Sequence, residues 1–310
     1  MKRIITAAVT GATHVPSLSP HFPFTPEQIV EDAVGAAKAG AAVVHIHARD
    51  PMDGHPTSDI RLFHQIIEGI SSQCDAAICV TTGGSTAMTI DERVAPLHIL
   101  TPELASLNSG SLNFAFHQLA DKLKDPRFDW EVPYLQATEN LVFSNTFRNI
   151  KIFAQAMRET GTKAELEVYD AGMINNIKHL VDVGALETPV YMQFVLGILG
   201  GMPATPENLV FLVESARKAL GDENVVWSCC AAGKAQLPIG CVGLALGGNV
   251  RVGLEDNLYI GPGRLARNSA EQVGAIVRIA TELSLEIATP AEAREILGLK
   301  GKDKVCAPQS

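Results

Sequence analysis

The chain has 310 residues, 46% of them hydrophobic, and a formal net charge of −9. That is enough apolar content for one large core, and an α/β barrel of this size needs no second domain. Acidic and basic residues are interspersed with no aromatic-interleaved Lys/Arg patch, which argues against nucleic acid and anionic membrane surfaces as partners.

The start, Met1-Lys2-Arg3-Ile4-Ile5, enters a strand at once and carries no signal-peptide cleavage pattern. Strands are expected near Ile4–Thr10, Ala42–Ala48, Ala76–Thr82, Leu104–Ser109, Ala164–Tyr169, Val190–Leu196, Val225–Cys230 and Asn249–Leu254. Helical patterns lie between them at Pro26–Ala39, Ile60–Ser72, Asp91–His98, Phe147–Glu159, Met173–Val183, Pro206–Leu220 and Pro238–Leu246, with Ser269–Leu283 after the last strand. Thr25-Pro26-Glu27-Gln28 reads as a capped start with proline at the first helical position, and Thr205-Pro206-Glu207 shares its first two features. Thr289-Pro290-Ala291-Glu292 opens a short final helix ending near Leu297-Gly298. Alternating βα units in this number favour a closed (β/α)8 TIM barrel over an open doubly wound sheet.

One segment breaks the rhythm. The stretch 112–146 contains Lys124-Asp125-Pro126-Arg127-Phe128-Asp129-Trp130 and Pro133-Tyr134, and is long for a connection. We read it as an insertion after strand 4, above or beside the barrel mouth, within one domain spanning 1–310 that ends in a helical tail over 284–310. Cys74, Cys79, Cys229, Cys230, Cys241 and Cys306 show no Cys-x-x-Cys spacing, so buried thiols in a reducing cytoplasm are expected. Apolar runs such as Val190–Leu199 fall short of the ~20 residues that span a bilayer.

The chemistry gathers on Val43-Val44-His45-Ile46-His47-Ala48-Arg49-Asp50. Side chains alternate along a strand, so Val43, His45, His47 and Arg49 share one face, and the apolar Val44, Ile46 and Ala48 share the other. A buried parallel strand is normally an unbroken aliphatic run. Two imidazoles spaced to converge on one ion point to metal ligation; the bland alternative is a pair of core histidines bonded to neighbours. A third ligand is expected from another strand end. The last strand offers Arg251, Gly253 and Glu255 on one face, with Glu255 at the carboxyl end where barrel active sites are built. His45, His47 and Glu255 would form a His2Glu site with open positions, as in a catalytic zinc centre. Against this stands a plain Glu255–Arg251 ion pair.

Other strand ends are polar too. Thr81, Thr82 and Gly83, followed by Gly84 and Ser85, combine hydroxyls with glycines that let backbone N–H groups approach an anion. Ser106 and Asn108 share a face of the fourth strand, and Glu167 with Tyr169 or Asp170 can reach the mouth from the fifth. Lys234 and Arg264 are candidate cations for phosphate groups, following the glycine-rich habit of late barrel loops, or ordinary surface charges.

Assembled in order, these stretches resemble the β-keto acid cleavage enzymes. The likeness runs through Ala8-Val9-Thr10-Gly11-Ala12, His45-Ile46-His47-Ala48-Arg49-Asp50, Thr82-Gly83-Gly84 and Leu107-Asn108-Ser109-Gly110-Ser111-Leu112-Asn113-Phe114. It continues in Glu165-Leu166-Glu167-Val168-Tyr169, Gln193-Phe194-Val195-Leu196-Gly197, Gly247 to Asn257 and Thr289 to Arg294. The resemblance implies a zinc-bound TIM barrel, commonly a homotetramer, that condenses a β-keto acid with acetyl-CoA to give acetoacetate and a new acyl-CoA. By position it implies zinc on His45, His47 and Glu255, Asp256 as base, Arg251 as supporting cation, and Thr81, Ser106 and Asn108 lining the substrate site. Two positions depart from the pattern. Where the aminohexanoate-cleaving members carry a glutamate for an ammonium group, this chain has Thr13 followed by His14, which invites a neutral or anionic side chain. Lys234 stands where arginine is common, keeping the charge but not the bidentate geometry. An amidohydrolase-type metal hydrolase also uses His-x-His in a barrel, but expects further histidines at the ends of strands five and six; Ala164–Asp170 and Val190–Gly197 contain none. A non-catalytic metal-binding barrel is the remaining alternative, and Asp256 beside Glu255 speaks against it.

Overall fold

A computed structural model of the chain describes residues 2–83 and 88–305. Gly84, Ser85 and Cys306, singled out above, lie outside the described residues, as does the tail 306–310. Eight parallel strands close into a barrel: β1 (Ile5–Ala8), β2 (Val43–Ile46), β3 (Ala77–Val80), β4 (Leu104–Asn108), β5 (Lys163–Val168), β6 (Val190–Leu196), β7 (Val225–Ala231) and β8 (Asn249–Val252). Closure is made where β8 meets β1, with Thr6 opposite Arg251, and β1 in turn sets Ala8 opposite His45. The barrel helices are α1 (Pro26–Lys38), α2 (Ile60–Ser71), α3 (Ile90–Leu100), α4 (Phe147–Thr160), α5 (Ala171–Asp182), α6 (Pro206–Leu220), α7 (Gln236–Ala245) and α8 (Ser269–Glu282). The expected (β/α)8 TIM barrel is present, with element ends shifted by a residue or two.

Local chemistry explains the starts. Thr25 accepts from the Gln28 backbone while Gln28 reaches back, a full capping box behind Pro26, and Thr289 with Glu292 repeats it on the terminal helix Pro290–Leu297. Alternation then sorts the strands. Val44 and Ile46 of β2, and Val250 and Val252 of β8, belong to the apolar layer under the helices. The interior floor is a separate cluster of Ile4, Val43, Ala77, Leu104 and Tyr191, closed from below by Ala293 and Leu297 of the terminal helix. That helix is tied to the barrel by Arg294, whose guanidinium meets both Glu103 oxygens at 2.8 and 2.9 Å.

The insertion after β4 folds over the opposite, open end. Leu112–Asn113 and Val142–Phe143 form a short ribbon, and between them lies a helix over Glu131–Ala137. Its anchor is Glu131, which is fully buried and accepts hydrogen bonds from Ser17 N, Ser17 Oγ, Arg127 N and Phe128 N. Tyr134 Oη donates to Ala12 O at 2.8 Å, and Leu135 and Phe116 pack on Val15. The insertion is thereby fixed to the β1–α1 segment through Ser17, Ala12 and Val15.

Candidate active site

His45 sits on β2 facing the barrel interior, and alternation carries His47 to the same side just past the strand. Their ring centroids lie 5.1 Å apart. Glu255 reaches them from the turn after β8. His45 Nε2 is 3.6 Å from Glu255 Oε2 and His47 Nε2 is 3.5 Å from Oε1, with the three donor atoms within 4.8 Å of one another. Strand parity is not what delivers this glutamate: β8 ends at Val252 and Gly253 turns the chain with φ +152°. A Cβ there would lie 2.0 Å from Ala8 O, so only glycine permits the turn. Glu255 then anchors back through its N–H to Ala8 O, and Gly11 packs so closely on its side chain that a Cβ would fall 2.3 Å from Cγ.

The ion pair offered as the bland alternative also exists: Arg251 Nη2 contacts Glu255 Oε1 at 2.8 Å. It engages one oxygen only. Oε2 is buried and has no hydrogen-bond partner. Burial raises the Glu255 carboxyl, but Arg251, His45 and His47 outweigh it and hold the group well below the usual range. Burial also drives the His45 imidazole well below its ordinary value, leaving a neutral ring with a lone pair to offer. An ionised carboxylate oxygen without a partner, beside the neutral His45 ring and within reach of His47, fits a divalent cation, and the donor set is that of catalytic zinc sites.

Beside this centre, Arg251 clasps Asp256 through Nε at 3.0 Å and Nη2 at 2.9 Å. Burial raises the Asp256 carboxyl and the Arg251 charge offsets this only in part. Arg251 Nη1 also lies 3.8 Å from Glu167, whose Oε2 accepts from Tyr169 Oη at 3.0 Å. One guanidinium therefore faces three carboxylates, an excess of negative charge that a bound cation would neutralise.

These groups open into a cavity of about 340 Å³ at the carboxyl ends of the strands. Of the sequence-predicted substrate residues, Thr13, His14, Thr81, Gly83, Ser106, Asn108 and Glu167 line it, and Asn108 Oδ1 is buried without a partner. Thr82 does not line it: its hydroxyl donates to Ser106 O and its carbonyl accepts from Arg93 Nε, tying β3 to β4 and α3. Lys234 is exposed just beyond the cavity wall at Gly233, and Asp170 caps α5 through Gly172 N and Met173 N. Arg264 is exposed on a separate hairpin.

The β1–α1 loop is held by Arg49. This guanidinium is fully buried and, among the described residues, meets no carboxylate; it donates to Gly11 O, His14 O and Gly54 O and lies over the Phe22 ring at 4.6 Å. His14 Nδ1 donates to Leu254 O at 3.1 Å, which leaves Nε2 as the acceptor. Burial and the Arg49 charge lower this imidazole to about 4, so it is neutral near pH 7.

Sequence reasoning missed the aromatic wall. Phe114, Phe116, Tyr134 and Phe143, all from the insertion, line the cavity opposite the strand ends. The unusual density of rings between 114 and 143 was the available signal.

A family model described as beta-keto acid cleavage enzyme matches residues 2–299. The chain belongs to that family. It is 48% identical over 300 residues to a 3,5-dioxohexanoate:acetyl-CoA acetone transferase of Paraburkholderia graminis, covering 97% of this chain and 96% of the relative. It is 38% identical to a 3-keto-5-aminohexanoate cleavage enzyme of Acetoanaerobium sticklandii, covering 96% and 98%. Among solved structures, a ternary complex of ObcA with C4-CoA adduct and oxalate superposes with a TM-score of 0.69 at 21% identity, over 91% of this chain and 68% of that one, a likeness of fold.

Proposed function

We propose that the protein is a zinc-dependent β-keto acid cleavage enzyme that uses acetyl-CoA and acts on a β-keto acid with an uncharged side chain. The observation that carries this is the unpartnered Glu255 Oε2, converging with His45 and His47 beside the Asp256–Arg251 pair in a cavity of a chain of this family. His45, His47 and Glu255 would hold the ion, which when bound supplies Lewis-acid stabilisation of negative charge developing on the substrate.

The chain's own residues do the rest. Asp256, raised by burial and steadied by Arg251, takes the proton from C2 of the β-keto acid. The C2 carbanion attacks the acetyl-CoA thioester and expels CoA thiolate, the thiolate adds to the former keto carbon, and the C2–C3 bond breaks to give the new acyl-CoA and an acetoacetate carbanion that takes the proton back from Asp256. Thr81, Ser106 and Asn108 orient the carboxylate end, and Glu167, fixed by Tyr169, keeps Arg251 in line. Lys234, outside the cavity at Gly233, meets the phosphates of CoA.

Charge placement argues for the side-chain class. Around the outer cavity the lining is Ala12, Thr13, His14, Phe116, Gln118 and Leu119, without Asp, Glu, Lys or Arg. An ammonium finds no counter-charge there and a carboxylate finds no cation, whereas a ketone does not need either. 3,5-Dioxohexanoate, on which the 48% identical relative acts, has such a side chain and would give acetoacetyl-CoA. The same reading includes one domain over 1–310, a homotetramer, and a cytoplasmic site, supported by the unbridged Cys74, Cys79, Cys229, Cys230 and Cys241. No described helix is long and apolar enough to cross a membrane.

The test is a panel of cationic, neutral and anionic β-keto acids with acetyl-CoA and the zinc-loaded protein, read by mass spectrometry for new acyl-CoA species. Product from neutral acids is expected. Product only from amino or dicarboxylic keto acids would overturn the substrate class, and none from any acid would overturn the reaction.

A further inference from the structure

Beneath the metal centre the barrel interior stays polar where aliphatic layers are the rule. Cys79 of β3 is the register partner of His45 on β2, and its Sγ lies 3.4 Å from His45 Nδ1. On its other side the Cys79 thiol points at Glu165 Oε1 of β5, 3.7 Å away. Glu165 is fully buried, and its Oε2 has no partner. All three groups are inside the barrel, and neither Cys79 nor Glu165 lines the cavity, so substrate does not reach them.

The geometry gives this row a direction. His45 Nε2 faces Glu255 and must present a lone pair to any ion there, so the ring hydrogen resides on Nδ1, which faces sulfur. Cys79 can accept that hydrogen bond and pass its own S–H to Glu165. Histidine ligands are commonly held this way through their far nitrogen, by a carboxylate directly or by a carbonyl. Here a thiol stands between.

We propose that Cys79 and Glu165 are positioning residues that hold His45 by Nδ1, fixing the tautomer and ring orientation with which Nε2 meets the metal. The proposal rests on the reading of His45, His47 and Glu255 as the metal site. The competing arrangement uses the same atoms: His45, Cys79 and Glu165 are themselves close enough to hold an ion. A thiolate ligand would distinguish it.

The test measures zinc affinity by chelator competition, and the near-ultraviolet spectrum of the cobalt(II) form, on the full-length protein and its variants. Cys79→Ala and Glu165→Leu should each weaken zinc by 10- to 100-fold, and the double variant should be no worse than Cys79→Ala. Cys79→Ser, which keeps a donor and an acceptor, should recover much of the loss. The wild-type cobalt form should lack a thiolate charge-transfer band. Wild-type affinity in Cys79→Ala would overturn the proposal, with any fall in Tm then showing a packing role alone. A thiolate band lost on Cys79→Ser would replace it by direct ligation. Wild-type protein that binds neither ion would overturn the metal site and this inference together.

Discussion

Two walls enclose the cavity, and they are built by different means. The inner wall consists of strand ends: His47, Glu167, Arg251 and the turn bearing Glu255 and Asp256. Ladder register and one obligatory glycine fix these groups to each other, and three carboxylates gather on the one Arg251 guanidinium. The outer wall consists of the insertion and the β1–α1 loop, with aromatic rings and neutral polar groups, held by Glu131, Tyr134 and Arg49. The contrast separates tasks. On the proposed function, reaction chemistry belongs to the wall whose backbone is over-determined, and the choice of side chain to connections that can vary without disturbing it.

Breaking the inner wall should have the largest effect. Asp256→Asn should lower kcat by about 10²- to 10⁴-fold while zinc content, measured by elemental analysis, stays at the wild-type level. Glu131→Ala strikes the outer wall's anchor. It leaves Ser17 N, Ser17 Oγ and Phe128 N without their acceptor, while Arg127 N keeps Ser17 Oγ, and should cost about 3 kcal/mol of unfolding stability in denaturant titration, with KM rising more than kcat falls.

His14 lies where the two walls meet, and its titration sharpens the boundary. Its folded value of about 4 lies below the ordinary 6.5, so between these pH values the unfolded chain binds a proton that the folded chain refuses. Stability therefore falls as pH drops through that window. Metal-free wild type should lose up to about 3 kcal/mol relative to His14→Gln between pH 6.5 and 4, and parallel stability curves for the two proteins would contradict the assignment. The smallest effect is expected from the outer rings. Phe116→Ala should reduce kcat/KM for the preferred acid by about 1–3 kcal/mol in transition-state terms, with metal affinity unchanged.

The same division decided what could be read from the sequence. Alternation in Val43 to Arg49 assigned both imidazoles to the interior without a structure, and the βα rhythm assigned the barrel. Glu255 was found through the right strand but by the wrong route, because a glycine turn, not the pleat, aims it. Thr82 was drawn in by its neighbour Thr81, although alternation places its hydroxyl against Ser106. The insertion gave no periodicity, since its contacts are to Ala12, Val15 and Ser17, a hundred residues earlier. Cys79 and Glu165 looked like ordinary strand residues, and only register brings them under His45.

The most direct test follows carbon. The protein, loaded with zinc, is given acetyl-CoA labelled with ¹³C in both acetyl carbons and unlabelled 3,5-dioxohexanoate. Transfer through a C2 carbanion predicts both labels in acetoacetate and an unlabelled acetoacetyl-CoA. Label retained in acetyl-CoA or released as acetate, with the keto acid cleaved by water, would contradict the account and identify a hydrolase instead.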